Sequence, residues 1–352
     1  MNSEAAQETP GNPLAGALAI SGDSVLPGSE LLRQEKLRND LLSRLLKSWL
    51  GSEGKLLDSK AVLLRHVLGK RCNFQIELMI LPAPGALVER RWVVGKVYAE
   101  HHGAGAYEML QELRSLGFSG SRFFVPQPLA YDPRWKLLLL SWAEGDLLRS
   151  SILGDSDVSW KMKEAASWLV KFHQSGVSVG SRYTFRRHMQ TLVSHKRHLI
   201  TVLPDLDKRL ERMLCRIEER GAKLSGWTPR PTHLDFSPDH LVFNGECVTA
   251  LDFDEFHQYD PMFDVAHFMA HLKLLGLRHD GDLNRFDELG KIFQTEYRSY
   301  ARDYSETRVR FYRAVSYFKL AYITAVVVRP PGWEEAVEVF LRSAERMLRF
   351  ES

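Results

Sequence analysis

Cysteine is scarce in this sequence: 352 residues carry three, Cys72, Cys215 and Cys247. No two of them share a metal-type spacing, which excludes a disulfide framework and a cysteine-bound zinc module and fits a reducing cytoplasm. Charge of neither sign is in excess. Lys and Arg outnumber Asp and Glu by 47 to 44, a net +3, too small for a chain of this size to imply nucleic acid or an acidic membrane as partner. Long apolar runs are missing too; the longest lie around Leu137–Leu140 and Ala325–Val328, short of what a bilayer requires. The opening Met-Asn-Ser-Glu lacks the basic start of an export signal, so the stretch from Leu14 to Ile20 is not read as one. What is present is an apolar content of 44%, enough to bury a sizeable core as one two-lobed unit.

Residues 1–28 are small, polar and broken by Pro10, Pro13 and Pro27, a composition that predicts a flexible tail. Ser29 then caps a helical pattern in residues 29–58, with Leu31, Leu37, Leu41, Leu45 and Trp49 on one stripe. From residue 59 to 143 the period becomes that of strands: Ala61–Leu68, Asn73–Leu81 and Trp92–Tyr98, then Phe123–Tyr131 and Trp135–Trp142. Lys96 interrupts the third of these and is followed by an amphipathic helix carrying Glu108 and Glu112. Residues 144–352 read as helical almost throughout. Val158–Gly176 is amphipathic and ends near His173, read as a packed or capping histidine; Phe185–His198 is rich in Arg and His, the composition of a solvated helix face. Asp260-Pro261 opens a helix with Asp as N-cap and Pro in the first turn. Asp264, His267 and His271 follow at spacings of three and four, which also suit metal ligands, but no Glu stands beside either histidine to make a metalloprotease signature.

The most informative stretch runs from His233 to Asp254. Leu241–Phe243 and Cys247–Leu251 are short apolar runs of β-favouring residues, and Asn244-Gly245 between them signals a tight hairpin. A hairpin brings its flanks together, so Asp235 and His240 on one side meet Asp252 and Asp254 on the other. Three carboxylates and an imidazole in one place form a metal site or a proton-transfer site, because like charges so close need a cation or a proton to coexist.

His-x-Asp, a ligand-type residue five positions after the Asp, a hairpin and then Asp-Phe-Asp resemble the catalytic segment of the aminoglycoside phosphotransferase and choline kinase family, relatives of the protein kinases. That resemblance implies an α+β, bilobal protein-kinase-like fold, with a small antiparallel-sheet lobe before a larger helical one. It implies ATP, or another nucleoside triphosphate, and Mg2+ as cofactors, and a small hydroxylated molecule of aminoglycoside, amino alcohol or sugar type as phosphate acceptor. Asp235 would act on the acceptor hydroxyl, with His233 steadying its loop. Asp252 and His240 would hold the metal, although His240 stands where a carboxamide is usual and a hard cation prefers oxygen to imidazole nitrogen. Asp260 and Asp264 would support the loop; Asp254 and Glu255 would line the acceptor pocket or play a structural part. Lys96 would hold the nucleotide phosphates, paired with Glu108 or, one turn on, Glu112. Ser141 and Ala143, in the linker between lobes, would offer backbone groups to an adenine edge. Gly69 sits where kinases place a phosphate loop, but one glycine between cations is no glycine-rich fingerprint. The competing expectation is a catalytically weak kinase-like protein that binds nucleotide or serves as a scaffold. A protein kinase is disfavoured, since Asp-Phe-Gly and Ala-Pro-Glu segments are both missing.

Overall fold

The computed structural model describes residues 25–154 and 157–349. They divide into two units, one running to Ser119 and including Val125–Ala143, the other comprising Gly120–Phe124 and the chain from Glu144 onward. Most of the expected tail lies outside the described residues. Its last part does not: Leu26 is 1% exposed, and Gly28 lies so near Val97 that a Cβ there would meet the valine at 2.5 Å. Ser29 belongs to a 3-10 turn, Pro27–Leu32, rather than capping the helix, which begins at Glu35.

The first unit holds α1 (Glu35–Leu45), α2 (Lys47–Leu50), β1 (Lys55–Val67), β2 (Arg71–Leu81), β3 (Glu89–Tyr98) and α3 (His102–Ser115). After two short strands, β4 (Ser119–Gly120) and β5 (Phe123–Phe124), it closes with β6 (Pro128–Asp132) and β7 (Leu137–Ser141). Its sheet runs β1-β2-β3-β7-β6, with all four pairings antiparallel. On β2 the alternation of side chains buries Cys72, Phe74, Ile76, Leu78 and Ile80, and Leu41 and Leu42 of α1 join that core. Arg38 of α1 is buried too, which the fold tolerates because its guanidinium donates to Ser59 Oγ and to the carbonyls of Leu31 and Ser59.

Beyond Ala143 come β8 (Asp146–Leu147), α4 (Leu148–Leu153), α5 (Ser159–His173), α6 (Phe185–Val202) and α7 (Asp207–Gly221). The strands β9 (Arg230–Thr232), β10 (Leu241–Asn244), β11 (Cys247–Ala250) and β12 (His257–Tyr259) follow. Four helices finish the described chain: α8 (Met262–Asp280), α9 (Asp287–Tyr300), α10 (Glu306–Tyr322), which runs on as a π turn to Val328, and α11 (Trp333–Arg349). Phe123 and Phe124, expected in the sheet lobe, pair instead with β11 in a second small sheet ordered β4-β5-β11-β10-β8.

The hairpin pairs Leu241 with Ala250 and Asn244 with Cys247, so the two loop residues are Gly245 and Glu246 and the reversal sits one residue later than expected. Gly145 is fixed by the same hairpin. Its φ of +123° suits only glycine, and a Cβ there would lie 2.2 Å from the Phe243 carbonyl. The helix from Glu306 to Val328 is long and apolar enough to cross a membrane by composition, contrary to the expectation that no such stretch exists, yet 61% of that window is buried inside the protein. Its residues Phe311, Val315, Phe318 and Ala321 form core with α8 and α11.

Candidate active site

Two short strands deliver the catalytic segment. β9 and β12 pair Thr232 with His257, tying the residue before His233 to the chain that leaves the hairpin. Between them the backbone takes two left-handed turns at non-glycine residues, Leu234 (φ 62°) and Asp252 (φ 59°). Each costs on the order of 1–3 kcal/mol and persists only where the surroundings over-determine it.

Asp264 is what over-determines the first. Fully buried on the first turn of α8, its Oδ2 accepts from the His233 amide at 2.7 Å and its Oδ1 from the Leu234 amide at 2.8 Å. His173 Nε2 lies 3.0 Å from the same carboxylate, and its Nδ1 is 2.8 Å from the Tyr297 hydroxyl. His233 Nε2 lies 2.9 Å from the Leu251 carbonyl and, as donor, links the loop to the residue before Asp252. Asp260 works on the other side of the helix start. Its Oδ1 accepts from the Met262 amide at 3.0 Å and from Arg308 at 2.7 Å, while burial raises its carboxyl pKa against the pull of Arg308.

Asp235 has a different setting, with its side chain 29% exposed. Lys319 Nζ of α10 stands 3.0 Å from its Oδ1 and His267 Nε2 of α8 stands 3.3 Å away. Burial works to raise this carboxyl, but the Lys319 ammonium and the His267 hydrogen bond prevail and hold it well below the usual carboxylate range. It is therefore ionised at neutral pH. Burial pushes His267 down to about 4, so at neutral pH its ring is uncharged and donates Nε2–H to Asp235.

His240 spans the gap to Asp252. Its Nδ1 donates to the Asp235 carbonyl oxygen at 2.8 Å and lies 3.7 Å from Asp235 Oδ2. With the proton on Nδ1, the Nε2 lone pair faces Asp252 Oδ2 at 3.8 Å. A nitrogen and a carboxylate lone pair aimed at each other over that distance fit a shared divalent cation, and an imidazole ligand tilts such a site toward Mn2+ and later ions relative to Mg2+. Asp254 is half-buried in the 3-10 turn after Asp252, and Glu255 is exposed.

In the sheet unit, Lys96 is 6% exposed on β3, opposite Asn73 and Leu138. The expected pairing with Glu108 is not formed. Glu108 is exposed on α3 and makes no side-chain hydrogen bond or ion pair among the described residues, whereas Glu112, one turn on, is half-buried. Ser141 also departs from expectation: its amide donates to the Gln127 carbonyl and its hydroxyl accepts from the Gln127 amide, so both are engaged within the sheet. Ala143, half-buried, ends that unit outside any strand.

Two groups at Asp235 escaped sequence reasoning. Lys319 is a lone cation in the apolar run from Tyr317 to Val328, and that interruption of a core pattern is the signal that could have found it. His267 was read only in register with Asp264, yet it reaches Asp235. His173 has the packed role expected of it, as part of the Asp264 network. The basic helix α6 divides: Arg186, Arg187, Arg197 and His198 are exposed, while His188 is buried against Tyr259.

A clamped loop thus holds one ionised aspartate, with a second aspartate across a hairpin from it. The profile of the phosphotransferase enzyme family matches residues 87–308, more than half of the chain, and the protein belongs to that family. Its fold is the protein-kinase-like fold of choline kinases and aminoglycoside phosphotransferases. Choline kinase from Cryptosporidium parvum Iowa II is similar, with a TM-score of 0.61 at 10% identity over 89% of this chain and 94% of that one. Choline kinase LicA from Streptococcus pneumoniae gives 0.58 at 15% identity over 89% and 98%. Spectinomycin phosphotransferase APH(9)-Ia, solved with ADP and spectinomycin, gives 0.59 at 11% identity over 90% and 99%. Among curated proteins none matches the sequence.

Proposed function

We propose that this protein is an ATP-dependent small-molecule kinase that moves the γ-phosphoryl group to a hydroxyl of a small polar acceptor, of the aminoglycoside, amino alcohol or sugar type. The observation that carries this reading is the placement of Asp235 and Asp252 on the two nitrogens of one imidazole, His240. Phosphoryl transfer asks little covalent work of a protein; it asks for alignment and for neutralised charge. Asp235, kept ionised by Lys319 and His267, accepts a hydrogen bond from the acceptor hydroxyl and points its oxygen at the phosphorus. His233 and Asp264 keep that carboxylate in place through the loop backbone. Asp252 and His240 would hold a divalent ion, Mg2+ or Mn2+, which when bound neutralises charge on the phosphates. Lys96 would contact the nucleotide phosphates, with Glu112 taking over the steadying part expected of Glu108. Ala143, which lies outside any strand, would offer backbone groups to the adenine edge. Asp254 and Glu255 would line the acceptor pocket, and the scarcity of cysteine supports a cytoplasmic setting.

Purified protein screened for ATP consumption against hydroxylated metabolites and aminoglycosides tests the reading. Turnover with at least one acceptor, lost in Asp235→Ala while a metal-dependent nucleotide melting shift is retained, is the expected result. A shift without turnover for any acceptor would favour a nucleotide-binding, catalytically silent protein; no shift with any divalent ion would sink both readings.

A further inference from the structure

α8 presents His267 and His271 one turn apart, with ring centroids 4.5 Å apart and planes tilted by 53°. One ligand atom from each of them and one from Asp235 all lie within 4.8 Å of one another. Asp264, at the matching spacing on the same helix, is not available to this set, because its two oxygens are taken by loop amides and His173. Asp235 stands in its stead. His267 Nε2 and Asp235 Oδ1 are 3.3 Å apart, which is close to the edge of about 3.4 Å that ligands form around a tetrahedral zinc ion. Among the described residues His271 Nε2 is shut off from solvent and meets no hydrogen-bond partner, a position that costs on the order of 1–3 kcal/mol.

We propose that Asp235, His267 and His271 form a second metal site, suited to Zn2+ or a similar borderline ion and distinct from the His240–Asp252 pair, and that filling it withdraws Asp235 from phosphoryl transfer. The ligand chemistry is in place. His267 is fully buried, and its Nε2 already meets Asp235 Oδ1. When His267 Nε2 takes the ion its proton moves to Nδ1, and the Ser316 hydroxyl, 3.3 Å from Nδ1, is there to accept it. Lys319 is the competitor. Its ammonium shares Asp235 Oδ1, but its side chain is 23% exposed and can turn outward, leaving the carboxylate to the metal. The site is thus a switch with two cations contending for one carboxylate: Lys319 on it supports catalysis, zinc on it stops catalysis.

The metal binding stands without the kinase reading; the inhibition rests on it. Titrating the full-length protein with Co2+ separates the two, because tetrahedral cobalt is read by its visible absorption without nucleotide or acceptor. Wild type is expected to take up one tetrahedral ion per chain, apart from any Co2+ at His240 and Asp252, with intense bands that Zn2+ bleaches. His267→Gln and His271→Gln should weaken uptake by roughly 10- to 100-fold, His240→Asn should leave the bands as they are, and Lys319→Met should tighten uptake. Unfolding curves identify any variant that fails to fold, and His271→Asn then replaces His271→Gln. Absence of tetrahedral bands in wild type, or bands lost in His240→Asn and kept in His271→Gln, overturns the site. With an acceptor in hand, low-micromolar Zn2+ at saturating Mg2+ should depress turnover in wild type and not in His271→Gln. Equal inhibition of both overturns the switch while leaving phosphoryl transfer itself standing.

Discussion

Asp264, on the first turn of α8, and Asp235, in the loop it clamps, do opposite things. Asp264 is fully buried, and its acceptors are spent on two backbone amides and a histidine ring. Asp235 is partly exposed, and its partners, Lys319 and His267, are ionisable side chains. The difference teaches what makes a carboxylate an anchor and what makes it a reagent. Backbone donors cannot be displaced without unfolding the loop, so the first is static. Side-chain donors on neighbouring helices can be exchanged for an acceptor hydroxyl or a metal, so the second is available for chemistry.

Breaking the anchor should have the largest effect. Asp264→Ala leaves two amides and His173 without an acceptor, and is expected to lower stability by about 3–5 kcal/mol in urea unfolding and to abolish phosphoryl transfer together with it. Asp235→Asn keeps the shape of the reagent and removes its charge. The transfer rate should fall by roughly 10²–10⁴-fold in a single-turnover assay, with the unfolding midpoint nearly unmoved. If Asp235→Asn proves as destabilising as Asp264→Ala, the contrast between the two is wrong.

Acid sharpens the comparison from the reagent's side. His188 and His267 are buried with values of about 3 and 4, below the ordinary 6.5. The unfolded chain therefore takes up their protons first, so the stability they confer is present above about pH 6.5 and lost as pH falls toward those values. Each histidine should contribute a slope approaching about 1.4 kcal/mol per pH unit in that window. His267→Gln should flatten the fall in unfolding free energy between neutral pH and pH 5, and His188→Gln should do so as well; unchanged slopes would mean that neither ring is shielded as described. The smallest effect concerns the metal opposite Asp235. His240→Asn restores an oxygen ligand facing Asp252 and should shift the ratio of Mg2+ to Mn2+ affinity by about tenfold, or about 1.4 kcal/mol, toward Mg2+ in competition calorimetry.

The parts of the site that are local in sequence were legible. The His233–Asp254 segment carries its own hairpin signal, and the run of Asp260, Pro261 and Asp264 announces a helix start, which falls at Met262 with Pro261 rather than Asp260 in the cap position. What could not be read depends on side chains that meet from afar. Lys319 is 84 residues from Asp235 and His173 is 91 from Asp264, and no periodicity links them. Glu108 and Glu112 share a helical face, so only the observed burial separates the exposed one from the half-buried one. Phe123 and Phe124 have the pattern of any sheet residue, and their choice of β11 as partner is a tertiary decision. The metal triad was half legible: the spacing of His267 and His271 pointed to ligands, but the third member came from the catalytic loop rather than from their own helix.

The hairpin from Leu241 to Ala250 is also a ruler. Its ladder continues past the strands, with the Leu251 amide on the His240 carbonyl at 2.8 Å, so the count of residues around Gly245-Glu246 decides which side chain stands opposite His240. Inserting one residue at that distant, exposed tip would slide the returning arm by a step and bring Leu251 to the place of Asp252. The length of the tip is thereby bound to the chemistry at the other end, while the identity of Glu246, which touches none of it, is free to vary.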